Sequence, residues 1–367
     1  MGVPFKEFYN LNFLQNYSRI LVKISPSFDA DIFCQKVLSK DWQVLELKQR
    51  MRRISETLGI MLPHKFEDAI SILIESIEAL KHTEFEHQGI EFIFIPDYIE
   101  LFGIDEYDTS VLAIEKVTTF ISCEFAVRPF IIKYSDKMMA QMLQWTKHKN
   151  HHVRRLSSEG CRPRLPWAMA LPEFKNNPQA ILPILEELKT DDSEFVRRSV
   201  ANNLNDISKD HPEIVLKIAH NWYGTNNQTN ALIKHGLRTL LKGNYPGSLE
   251  LIGYGSPKSF VLSKLVLINQ KVKEGDRVAF SFSIKNTSKK AQFLRMEYAL
   301  YFLLSNGSHS KKVFKISERK INPNESFHIK RDHSFKLITT RKYYKGRHFV
   351  APIINGEEKE KLRFEII

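Results

Sequence analysis

Apolar positions along this chain follow two rhythms, and the change between them falls near residue 250. Before it, apolar residues recur at three- and four-residue steps, the spacing that gathers them on one face of an α-helix. Ile32, Phe33, Leu38, Trp42, Leu45 and Leu47 mark such faces, and Met51, Ile54 and Leu58 continue them. Two helices joined near Lys40 and Asp41 are therefore expected between Phe28 and Leu62, then another over Lys65–Leu80 and a third apolar pattern from Val111 through Phe130. After Leu251 the chain turns to short alternating or apolar runs: Phe260–Ile268, Arg277–Ile284, Leu294–Leu304, Lys311–Ile316, Ser326–Ile329, His333–Ile338 and Gly346–Ile354. The turn-forming stretches KEGD, NTSKK, SNGS, NPNE and NGEE separate them. A multidomain protein of α and β parts is predicted, with an all-α domain over residues 1–250 and an all-β, immunoglobulin-like sandwich over 251–367. Asn244, Pro246 and Gly247 close the helical part.

The helical part repeats itself. VRRLSSEGC, VRRSVANNL and IKHGLRTLL align without gaps, starting at Val153, Val196 and Ile233, 43 and then 37 residues apart. Such periods belong to HEAT-like helix pairs stacked into a solenoid. Basic residues at equivalent helix positions (Arg154 and Arg155, then Arg197 and Arg198) predict a positively charged track. Arg155 and Glu159 are four residues apart, as are Arg198, Asn202 and Asp206, so each set forms a column on one helix face. Equivalence of Arg155 and Arg198 then puts Glu159 and Asp206 on the same side.

Composition sharpens this picture. At 367 residues the chain is long enough for two domains, each with its own core. Lys plus Arg outnumber Asp plus Glu by 54 to 42, giving a net charge of +12 and a pI near 9.4, which favours anionic partners such as nucleic acid. No apolar run is long enough to cross a bilayer, and MGVPFKEFYN has no apolar signal core, so a cytoplasmic protein without a membrane partner is expected. Cys34, Cys123 and Cys161 are read as reduced thiols, and no cofactor or metal is expected; a metal on His148, His151 and His152 is disfavoured for want of a carboxylate or cysteine at ligand spacing. The cluster Lys48, Arg50, Arg52 and Arg53 is read as solvated charge in slight preference to a nucleic-acid contact.

Candidate chemistry concentrates in HHVRRLSSEGCRPRLPWAMALPEF, residues 151–174, which holds Arg154, Arg155, Arg162, Arg164, Glu159 and Trp167. Pro163 and Pro166 hold Trp167 on a stiff connection, either as a plug over the core or as a stacking surface. Carboxylates kept on a cationic track repel phosphate, so each either neutralises an arginine or has a task of its own. Glu124 interrupts the apolar ISCEFAVRPF, where Arg128, four residues on, would pair with it if the role is structural.

HHVRRLSSEGCRPRLPW and EFVRRSVANNLNDISKDHP, with ELKQRMRRI and CEFAVRPF, resemble the AlkC-type DNA alkylation repair glycosylases of the HEAT-like repeat superfamily, in the subgroup with a C-terminal immunoglobulin-like domain. The resemblance implies hydrolysis of the N-glycosidic bond of cationic N-alkylated bases, chiefly 3-methyladenine and 3-methylcytosine with 1-methyladenine a further candidate, without turning the base into a pocket. It implies catalytic roles for Asp206, Glu159, Glu124 and Trp167, and DNA contacts for Arg154, Arg155, Arg162, Arg164, Arg197 and Arg198. The implied partner is double-stranded DNA containing alkylated bases, and the expected state is a monomer, nucleoid-associated if bacterial. The competing expectation is a non-catalytic DNA-binding or scaffold repeat protein, which would have the same track without requiring Glu159 and Asp206.

Overall fold

The computed structural model describes residues 4–39, 41–81, 89–336 and 342–367. Lys40, Ile338 and Arg341, which figured in the expected joints, strands and surface charge, lie outside them. By contacts the chain divides into two compact units, Met1–Asp210 and His211–Ile367. Helices give way to strands later, between the Ser248–Leu251 helix and the strand that opens at Phe260.

The described residues of the first unit form helices and no strand; some helices arise where the apolar periodicity placed them, whereas Leu11–Ile24 and Phe94–Phe102 lie outside the expected segments. Leu47–Met61 buries Met51, Ile54 and Leu58 along one stripe. Phe66–Leu80 buries Ala69, Ile70, Leu73 and Ile77 in the same manner. The pattern from Val111 through Phe130 is not one helix. Tyr107–Thr118 ends before a turn, and Val127–Trp145 starts a new helix with Pro129 in its first turn, where a missing N–H costs nothing. Glu124 therefore sits in a turn between helices.

His151–Glu159 packs against Glu194–Ile207, its equivalent in the next repeat. Asn150 caps the first by accepting from the His152 N–H at 2.8 Å. Val153 and Leu156 bury on one side, and Val196, Val200 and Leu204 on the other. The third aligned copy behaves differently: IKHGLRTLL is divided between Asn227–Gly236 and Arg238–Gly243, and both helices belong to the second unit.

In the second unit, four helices from Pro212 to Leu251 precede a two-sheet sandwich. One sheet is built on Arg277–Asn286, with Phe260–Leu262 and Val266–Leu267 along one edge and Ser326–Ser334 along the other. The second has Gln292–Leu303 between His309–Ile321 and Gly346–Ile354, and continues through Leu362–Ile366 to Lys271–Val272. Val278, Phe280, Phe282 and Ile284 alternate inward and meet Leu294, Met296, Leu300, Val350 and Phe364.

Strand limits depart from the expectation in several places, among them Lys311–Ile316, which is part of the longer strand His309–Ile321. Phe260–Ile268 is broken into two short strands. Ser326–Ile329 and the first two residues of the next expected run, His333 and Ser334, belong to one strand, Ser326–Ser334, which among the described residues pairs only with Arg277–Asn286 and so keeps its KRDH stretch polar. Leu362–Ile366, which the expectation lacked, pairs with Gly346–Ile354 and buries Phe364 and Ile366.

Candidate active site

The candidate residues meet in the first unit as a chain of alternating charge. Arg155, on His151–Glu159, donates to the Glu124 carboxylate and, at 3.0 Å, to Ser122 Oγ. Its other terminal nitrogen lies 3.3 Å from Glu159 Oε1, one helical turn along. Arg162 donates to Glu159 Oε1 at 2.6 Å and to Asp206 Oδ2 at 2.9 Å. Ser199 Oγ donates to Glu159 Oε2 at 2.6 Å, and Lys209 Nζ to Asp206 Oδ1 at 3.0 Å. Glu124, Arg155, Glu159, Arg162, Asp206 and Lys209 are thus linked in series.

Burial gives this chain its energetic weight. Glu159, Arg162 and Asp206 are 4%, 6% and 2% exposed. Charges so enclosed persist only when paired and hydrogen-bonded, and removing one partner of such a pair costs about 3–5 kcal/mol. All four oxygens of Glu159 and Asp206 accept from a neighbour, which is the satisfaction this burial requires.

The remaining arginines divide by partner. Arg154 makes a two-point pair with Asp191 at 2.6 and 3.0 Å and also donates to the carbonyls of His148 and Lys149. Its repeat equivalent Arg197 donates to the carbonyls of Asp191 and Asp192 at 2.5 and 2.9 Å. Arg164 pairs with Asp210 at 2.7 Å, and Arg198 is exposed. The Lys48–Arg53 cluster is not a solvated face, contrary to the reading of its charge. Arg50 is buried on the carbonyls of Leu45 and Lys6, Arg52 pairs with Asp97 at 2.8 Å, and Arg53 pairs with Asp41 at 2.9 Å.

Arg128 does not serve Glu124, as helical spacing would have had it, because Glu124 stands in the turn outside that helix. Fully buried, Arg128 donates to the carbonyls of Met169, Gly160 and Arg162 at 2.7, 2.8 and 2.9 Å, so it fixes the connection that carries Trp167. Burial draws its guanidinium down to about 10. Trp167 itself has φ 65°, in the left-handed region that a bulky residue seldom occupies, and the residue is 62% exposed. It is not a core plug.

A cleft of about 1050 Å³ opens beside these groups, lined by Glu124, Arg155, Trp167 and Phe195 on one part and by Lys48, Arg52, Asp97 and Glu100 on another. Glu159 and Asp206 are not in its lining. Its volume is that of a ligand cleft. Phe195 is half exposed under the Arg155 guanidinium, 4.8 Å from ring centroid to Cζ. Burial pushes Asp97 up to about 6 and raises Glu100, while Arg52 opposes both shifts.

Sequence reasoning missed Ser199, Lys209, Phe195 and the true task of Arg128. Ser199 had a legible signal: in the aligned repeats it stands where the first copy has Leu156, a polar residue in an apolar slot.

The first unit is thus a stack of helices that carries a buried, basic-partnered carboxylate pair beside a cleft, and a β-sandwich follows it in the chain. The chain belongs to the DNA alkylation repair enzyme family, in the AlkC-like group with a C-terminal Ig-like domain. The "DNA alkylation repair enzyme" profile matches residues 50–230, and that of "Uncharacterised protein YhaZ, C-terminal Ig-like domain" matches 261–367. Bacillus subtilis (strain 168) YhaZ is 43% identical over 361 residues, 98% of this chain and 99% of that protein. Among solved structures, the Pseudomonas fluorescens alkylpurine DNA glycosylase AlkC, bound to DNA containing an abasic site analog, is 35% identical with a TM-score of 0.86, covering 100% of both chains.

Proposed function

We propose that the protein is a DNA glycosylase that hydrolyses the N-glycosidic bond of cationic N-alkylated bases, 3-methyladenine and 3-methylcytosine foremost, in double-stranded DNA. The observation that carries this reading is the Arg162 bridge, which holds the buried Glu159 and Asp206 from successive repeats in one cluster, joined through Arg155 to Glu124 in the cleft. Likeness over the whole chain to a glycosylase bound to abasic-site DNA supports the same conclusion.

The chemistry asks little of a general acid. An alkylated base already carries positive charge, so when the bond from C1′ to the base nitrogen breaks, its electron pair leaves with the base and neutralises it. Positive charge passes to the sugar as an oxocarbenium-like centre, and water adds at C1′ and gives up a proton. Carboxylates fixed in advance stabilise that sugar charge without reorganising. Asp206 and Glu159 take this role, Glu124 with Ser122 orients water at the cleft, and the exposed face of Trp167 contributes a cation–π contact. Arg162 acts on the two carboxylates, as a positioning residue, as Arg155 does on Glu124 and Glu159, and the exposed Arg198 is the arginine offered to the DNA backbone.

Release of 3-methyladenine and 3-methylcytosine from methylated DNA tests the reading. Asp206→Asn should lower excision by about 100-fold or more while DNA affinity holds or tightens, because a negative charge is lost. Normal affinity with no base release by the wild-type protein would sink the proposal and leave a DNA-binding repeat protein.

A further inference from the structure

Lys48 comes from the Leu47–Met61 helix, far in sequence from every residue assigned above. Its ammonium donates to the backbone carbonyl of Trp167 and stands 5.4 Å from the centroid of the Phe125 ring. Lys48, Phe125 and Trp167 all line the cleft. One turn along the same helix, Arg52 is committed to Asp97 at 2.8 Å and Glu100 at 3.3 Å, whereas Lys48 reaches across to the Trp167 connection.

That connection needs an anchor. With 62% of the residue exposed, the Trp167 indole is not held by packing, so its direction depends on its backbone. The backbone is in the left-handed region, where a residue with a Cβ relaxes unless its surroundings hold it. Nearby bonds are the long ones from Ala168 N to Leu165 O and from Leu171 N to Pro163 O, at 3.3 and 3.2 Å. Arg128 secures the carbonyls of Gly160, Arg162 and Met169 but not that of Trp167.

We propose that Lys48 is a positioning residue for Trp167: it holds the carbonyl of the left-handed turn and, through its contact with Phe125, ties that turn to the one bearing Glu124. One cation thereby sets the spacing of an aromatic face and a carboxylate on the cleft. The proposal rests on the glycosylase reading in giving Trp167 a role at the site, but the tie itself is a property of the free protein.

Two measurements test it, and the first needs no activity. The emission assigned to Trp167, obtained by difference from Trp167→Phe, is followed by time-resolved anisotropy in wild type, Lys48→Met and Lys48→Arg. Lys48→Met should raise the amplitude of fast depolarisation by roughly twofold, and Lys48→Arg, which still donates, should stay near wild type. Unchanged depolarisation in Lys48→Met overturns the proposal whether or not the protein excises bases. Second, on methylated DNA, Lys48→Met should lower kcat by roughly tenfold with KM nearly constant, and should have no further effect in a Trp167→Ala background. A loss confined to KM, or one that adds fully to that of Trp167→Ala, makes Lys48 a direct DNA contact and overturns the positioning role.

Discussion

Arg162 illustrates how a residue's meaning depends on what encloses it. In the sequence it belongs to a basic segment, and basic segments ordinarily face solvent or phosphate. In the fold it is 6% exposed and neutralises two carboxylates that lie 47 residues apart in the chain, at Glu159 and Asp206. The i to i+4 link from Arg155 to Glu159 was readable because helical geometry is local, whereas the burial of the RPRLP connection is tertiary and leaves no periodic trace. Asp97 poses the converse case, a carboxyl in an apolar helix whose burial raises it to about 6 from an unfolded value of about 3.9. The folded state then binds the proton more tightly than the unfolded state. Its contribution to stability is complete below about pH 4 and is lost as pH rises through 6. Asp97→Asn removes that dependence, so unfolding free energies of the two proteins between pH 4 and 7 should diverge from parallel by on the order of 2 kcal/mol. Parallel curves would reject the assignment.

At the scale of elements, the first two aligned copies fall on packed helices, His151–Glu159 and Glu194–Ile207, while the third is divided between two. Arg154 and Arg197 occupy the same repeat position, and both donate to carbonyls five or six residues upstream, so they close the loops that lead into their helices. Arg198, one residue further round, is exposed. Arg197 and Arg198 therefore stand in two environments a hundred degrees apart on the helix, one closing a loop and one facing solvent, which composition alone cannot separate. Arg197→Ala should lower thermal stability by about 1–2 kcal/mol with little change in the salt dependence of DNA binding. Arg198→Ala should leave the melt alone and reduce the slope of log affinity against log salt by about 1. Melting curves and binding titrations on both variants decide it, and a reversal of the two effects would place Arg197 on the track instead. Strand limits show the same division. Arg277–Asn286 was legible because alternate residues bury, while Ser326–Ser334 was cut in two because an edge strand with a single buried residue, Ile329, has no amphipathic signature to follow.

For the whole molecule, the net charge of +12 was visible at once, and so was the succession of a helical repeat and a sandwich, because both are sums over many residues. Where that charge acts was not visible. The series Glu124, Arg155, Glu159, Arg162, Asp206 and Lys209 holds three acids and three bases and sums to nothing, so the positive excess belongs to the rest of the protein. A site that is neutral within itself adds little to long-range attraction, and its inner pairs are sheltered from counter-ions. Ionic strength thereby becomes a means of separating capture from chemistry. Raising salt from 50 to 200 mM should increase the KM for methylated DNA by roughly tenfold or more while kcat changes by less than about twofold. Steady-state excision across that range measures both, and a kcat that falls in step with affinity would mean that the inner charges are open to solvent. An internally compensated centre also lets surface charge drift over evolutionary time, since binding strength can be retuned at the periphery without disturbing the rate of the bond-breaking step.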